Sequence, residues 1–323
     1  MKARMGYKFT GSGHEVPEEK RKYDHNVGLT GAFIRCLSNF EKGELKAEPY
    51  IKDLETSIEE MHSILPAFQD HENFFDAAGQ FLSAVYNKVP DTQIVFDVKL
   101  DIRLAAVGRK LAKNKTLINR AAVHGVGDWA VGTIINEGSA EYAGFGATGD
   151  VINLGNAEQL GINASGKVIN YGDAQIMGIK DELDANLRNT AQLINYGHVE
   201  ELGNSVRFLV INLGTTGERT SAIALPGSIT INYGKTGRNF GSQSEGILLA
   251  YENPASFGQK SRAKIAWSKE DCKEAPRLWK YLTNLKEKLE TGRTDYKKAL
   301  AVLEEMNVHK DISKIIRKEG YEI

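Results

Sequence analysis

His124 and His198 are the only two histidines in the glycine-rich middle of this 323-residue chain. An imidazole group titrates near neutral pH, so either residue could act as a general base in acyl transfer. Paired carboxylates are the groups that cleave glycosidic bonds. The same part of the chain offers three aspartates for that chemistry: Asp128, Asp150 and Asp173. They fall at different positions of the sequence repeat described below, so the pattern does not bring them together.

Two irregular segments of this repeat are where we predict a binding site. Residues 179–191 contain eight extra residues and residues 215–228 contain three. Insertions in repeat proteins map to surface loops, often on the binding face, although a neutral surface loop is the alternative. The candidate binding residues are Asp181, Glu182, Asp184, Arg188, Glu218 and Arg219.

Two further motifs do not complete a site. Gly234-Lys235-Thr236 matches the end of a phosphate-binding loop, but the first glycine of G-x-x-x-x-G-K-[ST] falls on Ile229. Glu59 and His62 have the Glu-x-x-His spacing of di-iron helical bundles, which requires a second such motif that the sequence lacks. We therefore predict no catalytic set, no metal and no cofactor.

The elements that would position these residues come from a repeat. The pair Ile-Asn occurs seven times, and its Asn residues are spaced 17, 17, 17, 25, 17 and 20 residues apart. Fixed-period self-similarity is the signature of stacked structural repeats. The Asn positions are 119, 136, 153, 170, 195, 212 and 232. An eighth coil is predicted at Leu248-Leu249-Ala250, where Ala250 replaces Asn.

The repeat predicts a parallel β-solenoid. Each unit begins with a short β-branched run, and glycines then recur at steps of five or six residues. A 17-residue unit is too short for a helical pair, which needs about 33 residues, but it suits one coil of a solenoid. Successive coils would stack at about 4.8 Å. We predict an α+β chain with a central short-coil solenoid flanked by α-helical segments.

Alternation along each strand assigns the faces. The Leu or Val before each Ile-Asn pair shares a face with Asn, so both are predicted to point inward, where stacked Asn side chains can form a ladder. Each Ile and the residue after Asn, often Tyr, would then form an outward apolar stripe. A large apolar stripe is normally covered or used in binding, here by the flanking helices or by a second subunit. An inward Ile at a bend is the alternative.

One local pattern resembles a known enzyme family. Leu154-Gly155 and Leu160-Gly161 stand six residues apart, a step similar to the hexapeptide repeat of left-handed solenoid acyltransferases. The resemblance implies a general-base role for His124 or His198. Three hexapeptides need a longer coil than the 17 residues found here. Polysaccharide lyases and hydrolases also use parallel β-helices, with longer coils and clustered carboxylates.

The flanks divide the chain into four predicted parts. Residues 1–30 form a partly ordered arm, and residues 31–115 a mainly helical region that ends in an amphipathic strand at 93–104. Residues 116–258 form the solenoid, and residues 259–323 a basic helical tail. In the tail, Ser268 with Asp271 resembles a capping box. Thr294 is predicted to cap a second helix, and Asp311 to open a third.

Composition limits the functional class. The net charge is −1, but the solenoid segment has more acidic than basic residues and the tail the reverse. The two cysteines are too few for a disulfide framework. The N-terminus lacks the apolar core of a signal peptide and no run is long enough to span a membrane, so we expect a cytoplasmic protein. The interleaved charges of the tail disfavour nucleic acid.

These observations favour a non-enzymatic scaffold or protein-interaction protein built on the solenoid. Its partner, or a second copy of the chain, would bind the Ile and Tyr stripe. The alternative is an enzyme. A solenoid acyltransferase is the first candidate class, and a polysaccharide-active enzyme is the second. The reasons for the first choice are the regular rod, the apolar stripe and the lack of a convergent catalytic set.

Overall fold

The computed structural model describes most of the chain from residue 79 onward. The described residues are 79, 82–97, 107–178, 191–204, 206–220, 225–237, 239–241, 244–254 and 263–321. The predicted helix containing Glu59 and His62 and the arm at 1–30 lie outside these ranges, as do residues 98–104 of the predicted strand.

The described chain forms a parallel β-solenoid with two sheets. Sheet A has ten parallel strands, bonded in chain order. They are β1 (Gln93–Phe96), β2 (Thr116–Asn119), β4 (Thr133–Asn136), β6 (Val151–Asn153), β8 (Lys167–Asn170), β10 (Gln192–Asn195), β12 (Leu209–Asn212), β14 (Ile229–Asn232), β16 (Ile247–Ala250) and β17 (Ile265–Trp267). Every Ile-Asn pair therefore ends one strand of the same sheet, and Ala250 lies beside Asn232 in the predicted eighth coil.

Sheet B has seven parallel strands, one on the far side of each coil that carries an Ile-Asn pair. They are β3 (Ala122–Val126), β5 (Ser139–Ala143), β7 (Asn156–Leu160), β9 (Asp173–Gly178), β11 (His198–Asn204), β13 (Thr215–Thr220) and β15 (Asn239–Phe240). The predicted solenoid with a 17-residue coil is thus confirmed. Its core lies between the sheets and is filled by inward residues such as Leu117, Val126 and Ile134, all fully buried.

An asparagine ladder runs through the interior. Each repeat Asn is fully buried, and in the first six coils its Nδ2 donates to Oδ1 of the Asn one coil later, as Asn153 does to Asn170 at 2.8 Å. Nδ2 of Asn153 also donates to the carbonyls of Gly155 and Asp173 at the turn. Six such side-chain bonds link the seven asparagines. The ladder therefore satisfies buried backbone carbonyls at the corner of every coil.

The repeat glycines are required by the corners. Gly155 follows Asn153 closely, and a Cβ atom there would lie 2.1 Å from the carbonyl oxygen of Gly138 one coil below. Gly144, at the other end of sheet B, has φ +72°, a conformation that L side chains resist. Gly stands two residues after Asn in six of the seven coils and eight residues after Asn in the first five, so the glycine spacing follows the stacking of successive corners.

Two outer strands and a helix extend the solenoid beyond the repeat. Strands β1 and β17 carry no Ile-Asn pair, yet both pair in register with their neighbours. Helix α1 (82–88) contributes Leu82, Val85 and Tyr86 to the interior core at the first coil. The buried Lys115 donates to the carbonyls of Val89 and Asp91, which follow this helix. This end of the core is therefore closed by a helix.

Four helices form the tail: α2 (Lys269–Glu274), α3 (Pro276–Glu290), α4 (Tyr296–Glu305) and α5 (Val308–Lys318). The capping box of Ser268 and Asp271 is present. Two predicted helix starts are wrong. Asp295, not Thr294, caps α4, because its carboxylate accepts from the backbone N–H of Lys297. Helix α5 begins at Val308 rather than at Asp311, since Val308 belongs to the buried face.

The tail covers the outward apolar stripe of sheet A. The isoleucines of the last coils, together with Leu249, pack against the buried leucines of α3 and the apolar faces of α4 and α5. Burying one such leucine contributes about 2 kcal/mol. The residues of the stripe in this cluster are Ile169, Ile194, Tyr196, Ile211, Leu213, Ile231 and Tyr233, with Leu249 in the eighth coil. The outward direction of the repeat isoleucines and their covering by helices therefore agree with the prediction from alternation.

Tyrosines that follow the repeat Asn fix the tail in place. The hydroxyl of Tyr196 donates to the carbonyl of Leu289 at 2.8 Å, and that of Tyr171 to Gly292 at 2.5 Å. Leu289 lies in the last turn of α3 and Gly292 just beyond it, and each carbonyl also accepts a backbone N–H, from Gly292 and from Asp295 respectively. The register of α3 on the solenoid is thereby set by hydrogen bonds as well as by apolar packing.

We expect Asn153→Ala to lower the free energy of unfolding by about 3 kcal/mol, because it leaves buried groups of Asn136 and Asn170 without their ladder partner. Asn119→Ala, at the end of the ladder, breaks a single side-chain bond between asparagines and should cost roughly half as much. Urea unfolding followed by circular dichroism measures both. Equal losses at the two positions would contradict the ladder as the source of stability.

Candidate functional site

The structure does not test the six predicted loop residues as a binding site. Asp181, Glu182, Asp184 and Arg188 lie outside the described residues. Glu218 and Arg219 lie within strand β13, and the backbone of Arg219 pairs with Glu201 on one side and Asn239 on the other. The six residues therefore stay a prediction, and the described part of the chain presents a different surface.

This surface is a groove on the outer face of sheet B. Its volume is about 540 Å³, and it runs across five coils. In-register pairing stacks equivalent residues into two columns along the solenoid axis. One column contains Ala122, Ser139, Asn156, Asp173 and His198, and the other Glu141, Glu158, Gln175 and Glu200. Most of the first column is small, which leaves room for a ligand chain beside the second.

Alternation along the strands explains the groove. Val123, Ala140 and Ala157 point inward and are buried, so the residues on either side of each point outward. The repeat predicts these strands but not the groove. The sequence does contain a signal for the groove, because the fifth residue after the repeat Asn is polar in five successive coils. These residues are His124, Glu141, Glu158, Gln175 and Glu200, and Gly217 follows in the next coil.

The groove is acidic. Glu141, Glu158, Asp173 and Glu200 line it, and no Lys or Arg is among its lining residues within the described chain. Glu158, Asp173 and Glu200 are exposed. Carboxylates on neighbouring coils are separated by about 4.8 Å along the axis, so their fields add and attract cations. We call these four residues the acidic face.

Both candidate histidines lie on this side of the solenoid. The Nδ1 atom of His124 is 2.6 Å from Oε2 of Glu141, and its ring meets that of Tyr142 edge to face. His198 contacts Thr215 through Nδ1 and Glu200 through Nε2. The two histidines are four coils apart, about 19 Å along the axis, so they cannot act on one small substrate. A carboxylate that orients His124 is compatible with general-base chemistry there.

The three aspartates do not meet. Asp173 lies in the groove, while Asp150 immediately precedes β6 and its Oδ1 is 3.8 Å from Nζ of Lys167. Asp128 lies at the corner that follows β3. Among the described residues no group of three His, Cys, Asp or Glu side chains could hold a metal ion. Gly234 occupies a solenoid corner over the Gly214 carbonyl, consistent with a coil turn rather than a phosphate-binding loop.

Comparisons of the chain with protein-family models, with curated proteins and with solved structures found no match. Functional argument therefore depends on the site itself.

Burial raises the pKa of the Asp128 carboxyl to about 6, although Arg109 and His124 oppose the shift. Its Oδ1 atom is buried and has no hydrogen-bond donor within the described part of the chain. Since the folded protein holds this proton more tightly than the unfolded chain, the carboxyl destabilises the fold increasingly as pH rises from about 4 to about 6.

We expect Asp128→Asn to raise the free energy of unfolding by about 1–2 kcal/mol at pH 7 and above. Below about pH 4 the carboxyl is protonated in both states, so the difference should vanish. Denaturation at a series of pH values measures this. A stabilisation that is independent of pH would show that the charge of Asp128 is not the cause.

Proposed function

We propose that this protein is a non-enzymatic scaffold that binds a cationic partner along the acidic face. The observation that carries the proposal is a difference between the outer faces of the two sheets. The outer face of sheet A is covered by the tail of the same chain, whereas the outer face of sheet B carries an open groove lined by carboxylates. A rigid, regular groove is suited to binding an extended partner.

Binding of a partner through the Ile and Tyr stripe stays a prediction. The tail restricts the access of a partner to this stripe. The repeat isoleucines are buried in the folded chain, while Val95 and Leu154 are 41% and 40% exposed. A partner that used the whole stripe would have to displace α3, α4 and α5, with the loss of their apolar contacts. The acidic face needs no such rearrangement, and we therefore prefer it.

The sign of the charge narrows the class of partner. Phosphate groups would be repelled by the acidic face, which argues against nucleic acid on this surface. None of the helices in the described part of the chain combines the length and the apolar character needed to cross a bilayer. We propose a cytoplasmic location and a protein partner.

An oligolysine peptide of about ten residues is the probe for this proposal, because it exceeds the length of the groove when extended. We expect E158Q/D173N/E200Q to raise its dissociation constant about tenfold at low salt, since each exposed charge contributes roughly 0.5 kcal/mol. Fluorescence anisotropy measures the binding. The matched control E270Q/E304Q/E305Q removes three carboxylates from the tail and should change the constant less than about twofold. Equal weakening by both variants would reduce the effect to net charge and contradict the proposal.

Acyl transfer is the second candidate, because His124 has a carboxylate partner at 2.6 Å. We expect His124→Ala to lower transfer from acetyl-CoA to an amine acceptor by roughly 10²–10⁴-fold, with His198→Ala as the comparison. The absence of turnover by the native chain would remove this candidate and leave the scaffold.

A further inference from the structure

The tail carries a basic surface that faces away from the solenoid. Helix α5 buries Val308, Ile312 and Ile316, and its exposed positions are basic: Lys310, Lys314, Arg317 and Lys318. No carboxylate within the described chain forms an ion pair with any of these four residues. We call these four residues the basic face. It is a regular row of unneutralised positive charge.

The acidic and basic faces lie on opposite sides of one molecule. The tail packs on the outer face of sheet A, and the acidic face is the outer face of sheet B, with the core between them. They are also displaced along the axis, because His309 of α5 contacts Phe208 and Gly227, whereas the acidic face spans strands β5 to β11. The two faces cannot meet within one chain.

We propose that the partner of the acidic face is the basic face of a second copy of this chain. This inference rests on the proposed function and names its partner. The dimensions agree, since the 11 residues of α5 span about 16 Å, and the column from Glu141 to Glu200 spans about 14 Å, three coil steps. Lys310, Lys314 and Lys318 stand at i, i+4 and i+8, about 6 Å apart, and can follow a column that contains three carboxylates and Gln175.

The position of the two faces determines the kind of assembly. Each copy offers one acidic and one basic face on opposite sides, so the contact is heterologous and leaves one free face of each kind at the ends. Repetition of such a contact gives an open chain of copies, unless the rotation between successive copies closes them into a ring. The contact is small and charged, so the assembly is weak and is suppressed as the Debye length shortens.

Sedimentation velocity tests the inference on the full chain. At about 20 mM NaCl the average sedimentation coefficient should rise with protein concentration, and at about 0.5 M NaCl it should stay at the monomer value. E158Q/D173N/E200Q and K314Q/R317Q/K318Q should each be monomeric at low salt. Their equimolar mixture should form a discrete dimer and nothing larger, because each variant retains one functional face.

Two controls keep the result specific to these faces. K113Q/K297Q/K298Q removes three exposed bases elsewhere and should assemble as the native chain does, and circular dichroism should show that every variant is folded. A native chain that stays monomeric at low salt overturns the inference. So does a mixture of the two variants that fails to dimerise.

The outcomes separate this inference from the proposed function. If oligolysine binds the acidic face but the chain does not self-associate, the scaffold has a different cationic partner. If oligolysine binding is unaffected by E158Q/D173N/E200Q, the acidic face itself is rejected, and both proposals fail.

Discussion

The buried asparagine ladder is the interaction on which the rest of the structure depends. A 17-residue coil turns its backbone so sharply that carbonyl groups at the corner after sheet A point into the core, away from water. An unpaired buried carbonyl costs about 1–3 kcal/mol, and this corner recurs in every coil. One Asn per coil donates to these carbonyls and to its neighbour, so the same residue closes its own corner and fixes the register of the next coil.

Short coils also explain why the chain needs its tail. The interior of so narrow a coil holds few side chains, and Leu or Val, Asn and small residues of sheet B fill it. The isoleucine between them has to point outward, and a row of isoleucines cannot stay in contact with water without loss of stability. Helices α3, α4 and α5 provide the missing layer. Tyr171 and Tyr196 make that layer specific, because their hydroxyl groups donate to the carbonyls of Gly292 and Leu289 at the end of α3.

The repeated part of the fold could be predicted from the sequence because the same constraint acts in each coil. Strand β1 lies at the start of the amphipathic strand predicted at 93–104. Strand β17 was not predicted, since an outer coil lacks a neighbour on one side and needs neither the Asn nor the glycine spacing. The sequence offers more than one residue that could cap each of the helices α4 and α5, and tertiary packing selects among them. The cap at Asp295 and the start of α5 at Val308 therefore did not follow from the sequence alone. The groove was not predicted because it is lined by columns of residues from successive coils. Such a column becomes apparent only when residues 17 positions apart, such as Glu141 and Glu158, are compared with each other.

The proposed binding role gives the acidic face a reason that fold stability does not. Parallel in-register stacking places Glu141 and Glu158 side by side on adjacent strands, and like charges directly opposite each other destabilise a sheet. Glu200 adds a further carboxylate to the same column. The contacts of Glu141 with His124 and of Glu200 with His198 offset part of this repulsion. A row of positive charge at matching spacing would relieve it, and helix α5 presents such a row on the opposite side of the molecule. The charges that oppose folding of one copy are thus the ones that would favour binding of the next.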